Sequence, residues 1–241
     1  MGKKVLRPGG VELTNRILEE AAPSSADSIV EFGPGVGKTA QILLAVGPQR
    51  YWGVDIRDTD DNQLLDVLAG HPNAVLVNAD ARSTGLSDGC ATLVVGEAMR
   101  TMQSDQHKLE IMKEAFRILA PGGRYAIHEM GFRPDTPVAT SKAVEKALSR
   151  TIKVGARPLT LEGWTALLEE AGFEVRYSTT NKMALLEVRR MISDEGIVGF
   201  AKIVKNVAGN SAARERVLKM RKTFKANQEY LCAVGIVAMK P

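Results

Sequence analysis

The chain has 241 residues, of which 44% are hydrophobic and 25% are charged, and its formal net charge at pH 7 is +4. This length and composition are sufficient for one α/β domain with a substantial core, and the small positive charge does not make nucleic acid the default partner. The two cysteines, Cys90 and Cys232, form no C-x-x-C pair, so we expect neither a disulfide framework nor a metal site.

No stretch of the sequence has both the length and the apolar character of a transmembrane helix. The first residues are basic and turn-rich and lack the apolar core of a signal peptide. Because two isolated cysteines also suit a reducing compartment, we predict a cytoplasmic protein.

An amphipathic helix is predicted near the N-terminus. Leu13, Ile17 and Leu18 share one helical face, and Pro23 follows the last apolar position. The segment Arg7–Gly10 before this helix is a candidate for lining the entrance of a ligand site.

The stretch around which the chain is organised is a strand, a glycine turn and a helix. Residues 28–32 form a nearly continuous apolar run that includes Glu31, and a helical pattern begins near Lys38. Between them stand three alternate glycines, Gly33, Gly35 and Gly37. Glycine at such a turn permits positive φ and lets a ligand approach the main chain closely.

Two well-known phosphate-binding patterns each fail by one residue at this turn. A dinucleotide fingerprint needs its third glycine where Lys38 stands. A P-loop would end correctly in Gly37, Lys38 and Thr39, but its first glycine is replaced by Phe32. The pattern that fits without adjustment is acid-x-G-x-G-x-G.

Acidic residues follow the next three predicted strands. Asp55 ends the strand predicted over 50–56, Asp80 and Ala81 follow the third strand, and Glu97 ends the fourth, predicted over 91–97. Strands alternating with helices indicate a parallel sheet, and the carboxyl ends of parallel strands meet at one edge where ligands bind. We therefore expect these carboxylates to surround one site.

Together with the turn Pro121-Gly122-Gly123 before the fifth strand, this ordered series resembles the class I S-adenosylmethionine-dependent methyltransferases, and within them the methyltransferase type 11 group that includes ubiquinone and menaquinone methyltransferases. The resemblance implies an α/β fold: a doubly wound, Rossmann-like, mostly parallel seven-stranded sheet with helices on both faces. The cofactor it implies is S-adenosyl-L-methionine. The implied cofactor-binding residues are Glu31, Gly33, Gly35, Gly37, Asp55, Ile56, Asp80, Ala81, Gly96 and Glu97.

The last third of the chain departs from the minimal form of this fold. Two helices, over 185–207 and 212–228, are predicted before the closing strand and would form a helical cap over the substrate mouth. We predict a single domain over 1–241. Its parts are an N-terminal helical segment (1–26), a cofactor-binding core (27–130), substrate cap elements (131–160 and 185–228) and a closing strand (229–241).

The candidate catalytic residues are His128 and Glu129, with Glu97 and Tyr177 behind them. His128 and Glu129 are adjacent on a strand, so their side chains point to opposite faces and only one can face the site. Histidine has the better pKa for a general base near neutrality.

The predicted reaction is methyl transfer to a small organic acceptor, which can be anionic because the last predicted helix is rich in lysine and arginine. The fourth strand is followed by Gly96-Glu97-Ala98-Met99 and not by N/D-P-P-Y/F, which disfavours methylation of base amino groups in DNA or RNA. Two alternatives stay open: a P-loop-like nucleotide-binding protein, and a protein that binds the cofactor without catalysis.

Overall fold

The computed structural model describes residues 7–56, 62–183 and 211–241. The predicted helix over 185–207 lies outside these residues. The helices are α1 (Gly10–Ala21), α2 (Lys38–Ala45), α3 (Asn62–Ala69), α4 (Asp105–Ile118), α5 (Val138–Ile152), α6 (Leu161–Glu170) and α7 (Ser211–Ala226). The strands are β1 (Ser28–Phe32), β2 (Arg50–Asp55), β3 (Ala74–Asn78), β4 (Ala91–Glu97), β5 (Leu119–Phe132), β6 (Leu159–Thr160), β7 (Glu174–Lys182) and β8 (Leu231–Met239).

These strands form one sheet in the order β3-β2-β1-β4-β5-β8-β7, and β6 pairs with the end of β5. The pairs from β3 to β5 are parallel, whereas β8 is antiparallel to both β5 and β7. The strand order reverses between β1 and β4, which is where an open parallel sheet forms its ligand crevice. The predicted doubly wound, seven-stranded sheet is confirmed, with the two-residue β6 as an addition.

Helices cover both faces of the sheet because strand residues alternate between the faces. Ile29 packs into one buried cluster with residues of α1, α2 and α3, whereas its neighbour Val30 packs into another with residues of α4 and α6. Contact between α1 and β8 is so close that a Cβ on Gly235 would stand 2.6 Å from Ile17 Cγ2. The N-terminal helix is therefore part of the core.

Local signals read from the sequence set several helix boundaries. The Thr160 side chain accepts a hydrogen bond from the Gly163 N–H at 3.1 Å, as an N-cap does, and Gly172 follows α6 with a φ of +102°. Ser104 caps α4 in the same way. Strand β5 begins at Leu119, earlier than its predicted start at Arg124, because the Pro121-Gly122-Gly123 turn is included in the strand.

A third buried cluster joins helices α5 and α7 to the core. This cluster contains Met130 of β5, Leu148 of α5, and Met220 and Phe224 of α7. Among the described helices, none combines the length and the apolar character that a bilayer crossing needs.

Candidate functional site

The glycine turn after β1 exposes main chain to open space. Gly33, Gly35 and Gly37 have φ values of +67°, +56° and +82°, which side chains rarely permit. The Gly33 N–H donates to the Val54 carbonyl at 2.8 Å, which fixes the turn against β2. A Cβ on Gly35 would meet no atom within 4 Å. Gly35 thus leaves room for a ligand, whereas a Cβ on Gly37 would stand 3.1 Å from Leu64 Cδ1, so Gly37 permits close packing against α3.

Beside this turn lies a cleft of about 440 Å³ at the carboxyl ends of β1, β2 and β4. Among the residues predicted to bind the cofactor, those that line it are Gly33, Asp55, Ile56, Asp80, Ala81 and Glu97. The Asp55 side chain is largely buried, whereas Ile56 is 66% exposed and places an apolar surface at the edge of the cleft. Three carboxylates from different strands therefore meet at one cleft.

Asp80 is held by an arginine close in sequence. The Arg82 guanidinium donates to both Asp80 carboxylate oxygens, at 2.7–3.1 Å, and the Arg82 backbone N–H donates to Oδ1 at 2.9 Å. These hydrogen bonds lower the pKa of Asp80. Arg82 also lines the cleft and lies 3.0 Å from His107 Nε2, so it forms part of the same wall.

Glu31 lies behind the turn and not in the cleft. Its carboxyl group is buried and accepts a hydrogen bond from the Tyr51 hydroxyl at 2.6 Å. Burial raises the pKa of Glu31 to about 8, the Tyr51 hydrogen bond acts against that rise, and the charge of Glu97 adds to it. Glu31 is therefore mainly protonated at neutral pH.

Glu97, at the end of β4, is the centre of a nearly buried polar network. Its carboxylate accepts hydrogen bonds from the hydroxyls of Thr14 and Thr39, and Arg7 Nε donates to it at 3.2 Å. Its side chain is 9% exposed. Burial acts to raise its pKa, but hydrogen bonds from His128 and Thr14 and the Arg7 charge lower it to about 2.

The segment before α1 closes over this network. The Arg7 guanidinium also donates to Thr39 Oγ1 at 2.5 Å, and the Gly9 N–H donates to His128 Nε2 at 2.9 Å. Pro8 lines a second cavity described below. The sequence suggested this segment as an entrance lining but gave no signal that Arg7 would be buried.

His128 has both ring nitrogens engaged within the protein. Nε2 accepts the Gly9 N–H, and Nδ1 lies 2.9 Å from Glu97 Oε1. We assign the neutral tautomer with the proton on Nδ1, since only that tautomer satisfies both contacts. The imidazole is fully buried and belongs to the network around Glu97.

Glu129 points the other way, as the alternation of β5 requires, and clamps the loop after β4. Its carboxylate accepts the backbone N–H groups of Met99, Arg100 and Thr101 at 3.1, 2.8 and 3.1 Å. It also accepts the Thr101 hydroxyl at 2.7 Å and pairs with the Arg100 guanidinium at 3.2 Å. Gly96 serves the same loop, because its carbonyl accepts from Arg100 at 3.1 Å.

A second cavity, of about 270 Å³, lies between this loop and helices α5 and α7. It shares Ala98 and Met102 with the cleft, so the two spaces have a common wall. Its further lining is mostly apolar and includes Met130, Ile152, Val154, Ala156, Met220 and Phe224. Lys153 and Arg216 are its charged residues within the described part of the chain.

The sheet order and the cleft at the carboxyl ends of its strands are the arrangement that the sequence motifs predicted for a class I S-adenosylmethionine-dependent methyltransferase, and the family match confirms that class. More particularly, the chain belongs to the family whose model is described as a methyltransferase domain, and that model matches residues 7–178.

Two curated proteins and a solved structure illustrate the similarity. An uncharacterized protein of Haemophilus influenzae is 29% identical over 248 residues, which cover 100% of this chain and 95% of that protein. The ubiquinone/menaquinone biosynthesis C-methyltransferase UbiE of Pseudomonas putida (strain W619) is 33% identical over 144 residues, 56% of this chain. That match spans 49% of UbiE, about half its length.

The solved structure is geranyl diphosphate C-methyltransferase from Streptomyces coelicolor A3(2), in complex with Mg²⁺, geranyl diphosphate and S-adenosyl-L-homocysteine. Its TM-score is 0.65 at 12% identity, with 95% of this chain and 78% of that chain covered. This similarity concerns the fold.

Family membership decides against the nucleotide-binding alternative. The Thr39 hydroxyl, which a P-loop would offer to magnesium, instead donates to Glu97 and accepts from Arg7. The individual cofactor-binding and catalytic residues named from the sequence stay predictions.

Proposed function

We propose that the cleft holds S-adenosylmethionine with its adenosine part at the ends of β2 and β3 and its methionine part at the glycine turn. Asp55 would accept hydrogen bonds from the ribose hydroxyls, and Ile56 would cover the adenine ring. Asp80 would accept the adenine amino group and share its carboxylate with Arg82. The observation that carries the proposal is the acid-lined cleft beside the Gly33–Gly37 turn.

When bound, the cofactor would supply a methyl group attached to a positively charged sulfur. The lone pair of the acceptor would form a bond to the methyl carbon, and the electrons of the broken carbon–sulfur bond would stay on sulfur. The task of this chain is to align the acceptor and to exclude water. Glu97 presents a carboxylate that stays ionised at neutral pH, which suits a positively charged ligand. The Arg7–Gly10 segment covers the network that holds this carboxylate in place.

We propose the second cavity as the site of a small organic acceptor. Its shared wall of Ala98 and Met102 would let the reacting atom face the cofactor. Glu129 would then act as a positioning residue that fixes this wall, and His128 as one that fixes Glu97, with neither serving as the general base. Relatives named for ubiquinone and menaquinone biosynthesis support a small organic acceptor over nucleic acid.

We further propose that the reaction takes place in the cytoplasm. Both cysteines are free thiols in the structure, which suits a reducing compartment.

Calorimetric titration with S-adenosylmethionine tests the cofactor site. In Asp55→Ala the ribose would lose hydrogen bonds to a charged group worth about 1.5–3 kcal/mol, so the affinity should fall about 10- to 150-fold. Asp66→Ala is the matched control, because Asp66 is an exposed acid on α3 that does not line the cleft. ATP and NAD serve as ligand controls. Unchanged affinity in a folded Asp55→Ala protein would refute the assignment.

A further inference from the structure

We infer that the acceptor is an amphiphilic anion, with an apolar body enclosed in the second cavity and an anionic group held by Lys153 and Arg216. This inference rests on the proposed function, since it assigns a substrate class to the proposed acceptor site.

The interior of the cavity suits an apolar body. Met130, Met220 and Phe224 are buried and line it, and Met102 forms part of the wall shared with the cleft. Methionine side chains are flexible and polarizable, so they adapt to irregular apolar shapes. At about 270 Å³ the cavity lies just below the range of about 300–1,000 Å³ typical of small-molecule sites.

The hydroxyl groups in the lining already have partners. Thr101 Oγ1 donates to Glu129 at 2.7 Å and accepts the Met130 N–H at 3.3 Å. Thr151 Oγ1 donates to the Ala147 carbonyl at 2.8 Å and lies 3.0 Å from Thr223 Oγ1. A polar acceptor group placed among them would compete for hydrogen bonds already made, and an unsatisfied buried polar group is costly. The anionic group should therefore lie near the cations.

Lys153 and Arg216 supply positive charge where the cavity meets solvent. Both are exposed, and neither forms an ion pair with a carboxylate in residues 7–56, 62–183 or 211–241. Arg216 precedes Met220 by four residues on α7, so the two side chains lie on the same face of that helix. One helix face thus presents both an apolar contact and a cation to the cavity.

The backbone provides an independent indication that this cavity is a functional site. Three non-glycine residues in the described part of the chain have positive φ, and two of them, Ala98 at +52° and Lys153 at +62°, line this cavity. Such conformations cost free energy for non-glycine residues and concentrate at ligand and active sites. Lys153 adopts this conformation as the C-cap of α5, a common helix ending that Ala22 also shows at the end of α1, so Ala98 is the residue that carries this indication.

The two kinds of contact come from different elements. The cations belong to the C-terminal end of α5 and to α7, whereas the wall shared with the cofactor cleft belongs to the loop after β4. An acceptor anchored by its anionic group can therefore present a different atom to the methyl group. The anion serves for recognition and is not the methylated atom.

Calorimetry tests the inference. The full chain is first saturated with S-adenosylhomocysteine and is then titrated with octanoate or, separately, with octanol. The two probes share an alkyl chain and differ in charge. We expect octanoate to bind more tightly than octanol, and Lys153→Gln/Arg216→Gln to weaken octanoate binding about tenfold, the loss for two partly exposed ion pairs. Octanol binding should not change.

Lys146→Gln/Arg214→Gln is the matched control, because both residues are exposed cations on the same two helices and neither lines the cavity. Equal binding of both probes to the unmodified chain, or equal weakening of octanoate binding by the control pair, would overturn the inference. If the chain binds S-adenosylhomocysteine but shows no preference for octanoate, only this inference fails. If it binds no S-adenosylhomocysteine, the proposed function fails as well.

Discussion

Replacing Glu31 by glutamine should stabilise the protein at alkaline pH. The Glu31 carboxyl is buried against the Tyr51 hydroxyl, and burial, opposed by that hydrogen bond and reinforced by the Glu97 charge, raises its pKa from 4.5 to about 8. The unfolded chain therefore loses this proton at a lower pH than the folded chain does. A glutamine keeps a carbonyl oxygen for the Tyr51 hydroxyl and never ionises.

The magnitude follows from the two pKa values. Below pH 4.5 the Glu31 carboxyl is protonated in both the folded and the unfolded chain, so the stabilising contribution of its raised pKa is fully present. As the pH rises from 4.5 to about 8, that contribution is lost. At about 1.4 kcal/mol per pKa unit, the loss approaches 5 kcal/mol. Because Glu31 is fully buried, solvent screening does not reduce this figure much.

Urea unfolding of the cofactor-free protein between pH 4.5 and 8.5 measures the effect. Relative to the unmodified chain, Glu31→Gln should gain free energy of unfolding steadily across this range, with most of the gain reached near pH 8. Glu20→Gln, an exposed carboxyl on α1, is the control and should show no such slope. A constant difference at every pH, or a loss that grows with pH, would show that Glu31 is ionised in the folded protein.

Two further variants test the networks on either side of β5. Glu129→Gln should lower the free energy of unfolding, measured in urea, by about 3–5 kcal/mol. The change leaves the buried Arg100 without its charged partner and turns one hydrogen-bond acceptor into a donor. A loss below about 1 kcal/mol would contradict the role of Glu129 in holding the loop after β4. Arg7→Ala should raise the pKa of Glu97 toward 4.5, since the Arg7 charge helps to lower it. Ionised Glu97 stabilises the folded protein above pH 4.5, and this contribution is lost as the pH falls toward 2. In Arg7→Ala the contribution should be smaller. An unchanged acid-unfolding profile would rule out this role of Arg7.

The parallel half of the fold could be predicted because its signals are local. A buried strand, a glycine turn and a helical period can each be recognised within a few residues, and their alternation permits one type of sheet. The predicted bounds of β1 and β4 agree with the structure, and the closing strand, predicted within 229–241, is observed as β8 over Leu231–Met239. Strand β6 could not be predicted, because two residues carry no periodicity and Leu159 pairs with Gly131 only after the chain has folded back.

The acids at the cleft could be placed from the sequence because topology alone brings the ends of parallel strands together. The burial of the polar side chains around these acids could not be predicted in the same way. Nothing local shows that Arg7 would reach Glu97, ninety residues away, or that Gly9 would donate to His128. The sequence limited His128 and Glu129 to opposite faces, but which partners each face offers depends on long-range packing.

The two acids on β1 and β4 show why such packing decides chemistry. Glu31 and Glu97 lie on paired strands at the same sheet edge, and burial acts to raise the pKa of both, yet the pKa is about 8 for Glu31 and about 2 for Glu97. The difference lies in their donors, since Tyr51 offers Glu31 one neutral hydroxyl, whereas Glu97 receives the Arg7 cation, His128 and two hydroxyls. A second negative charge in this space would have to share the Arg7 cation with Glu97. Protonation of Glu31 therefore allows the enclosed pair of Arg7 and Glu97 to remain balanced.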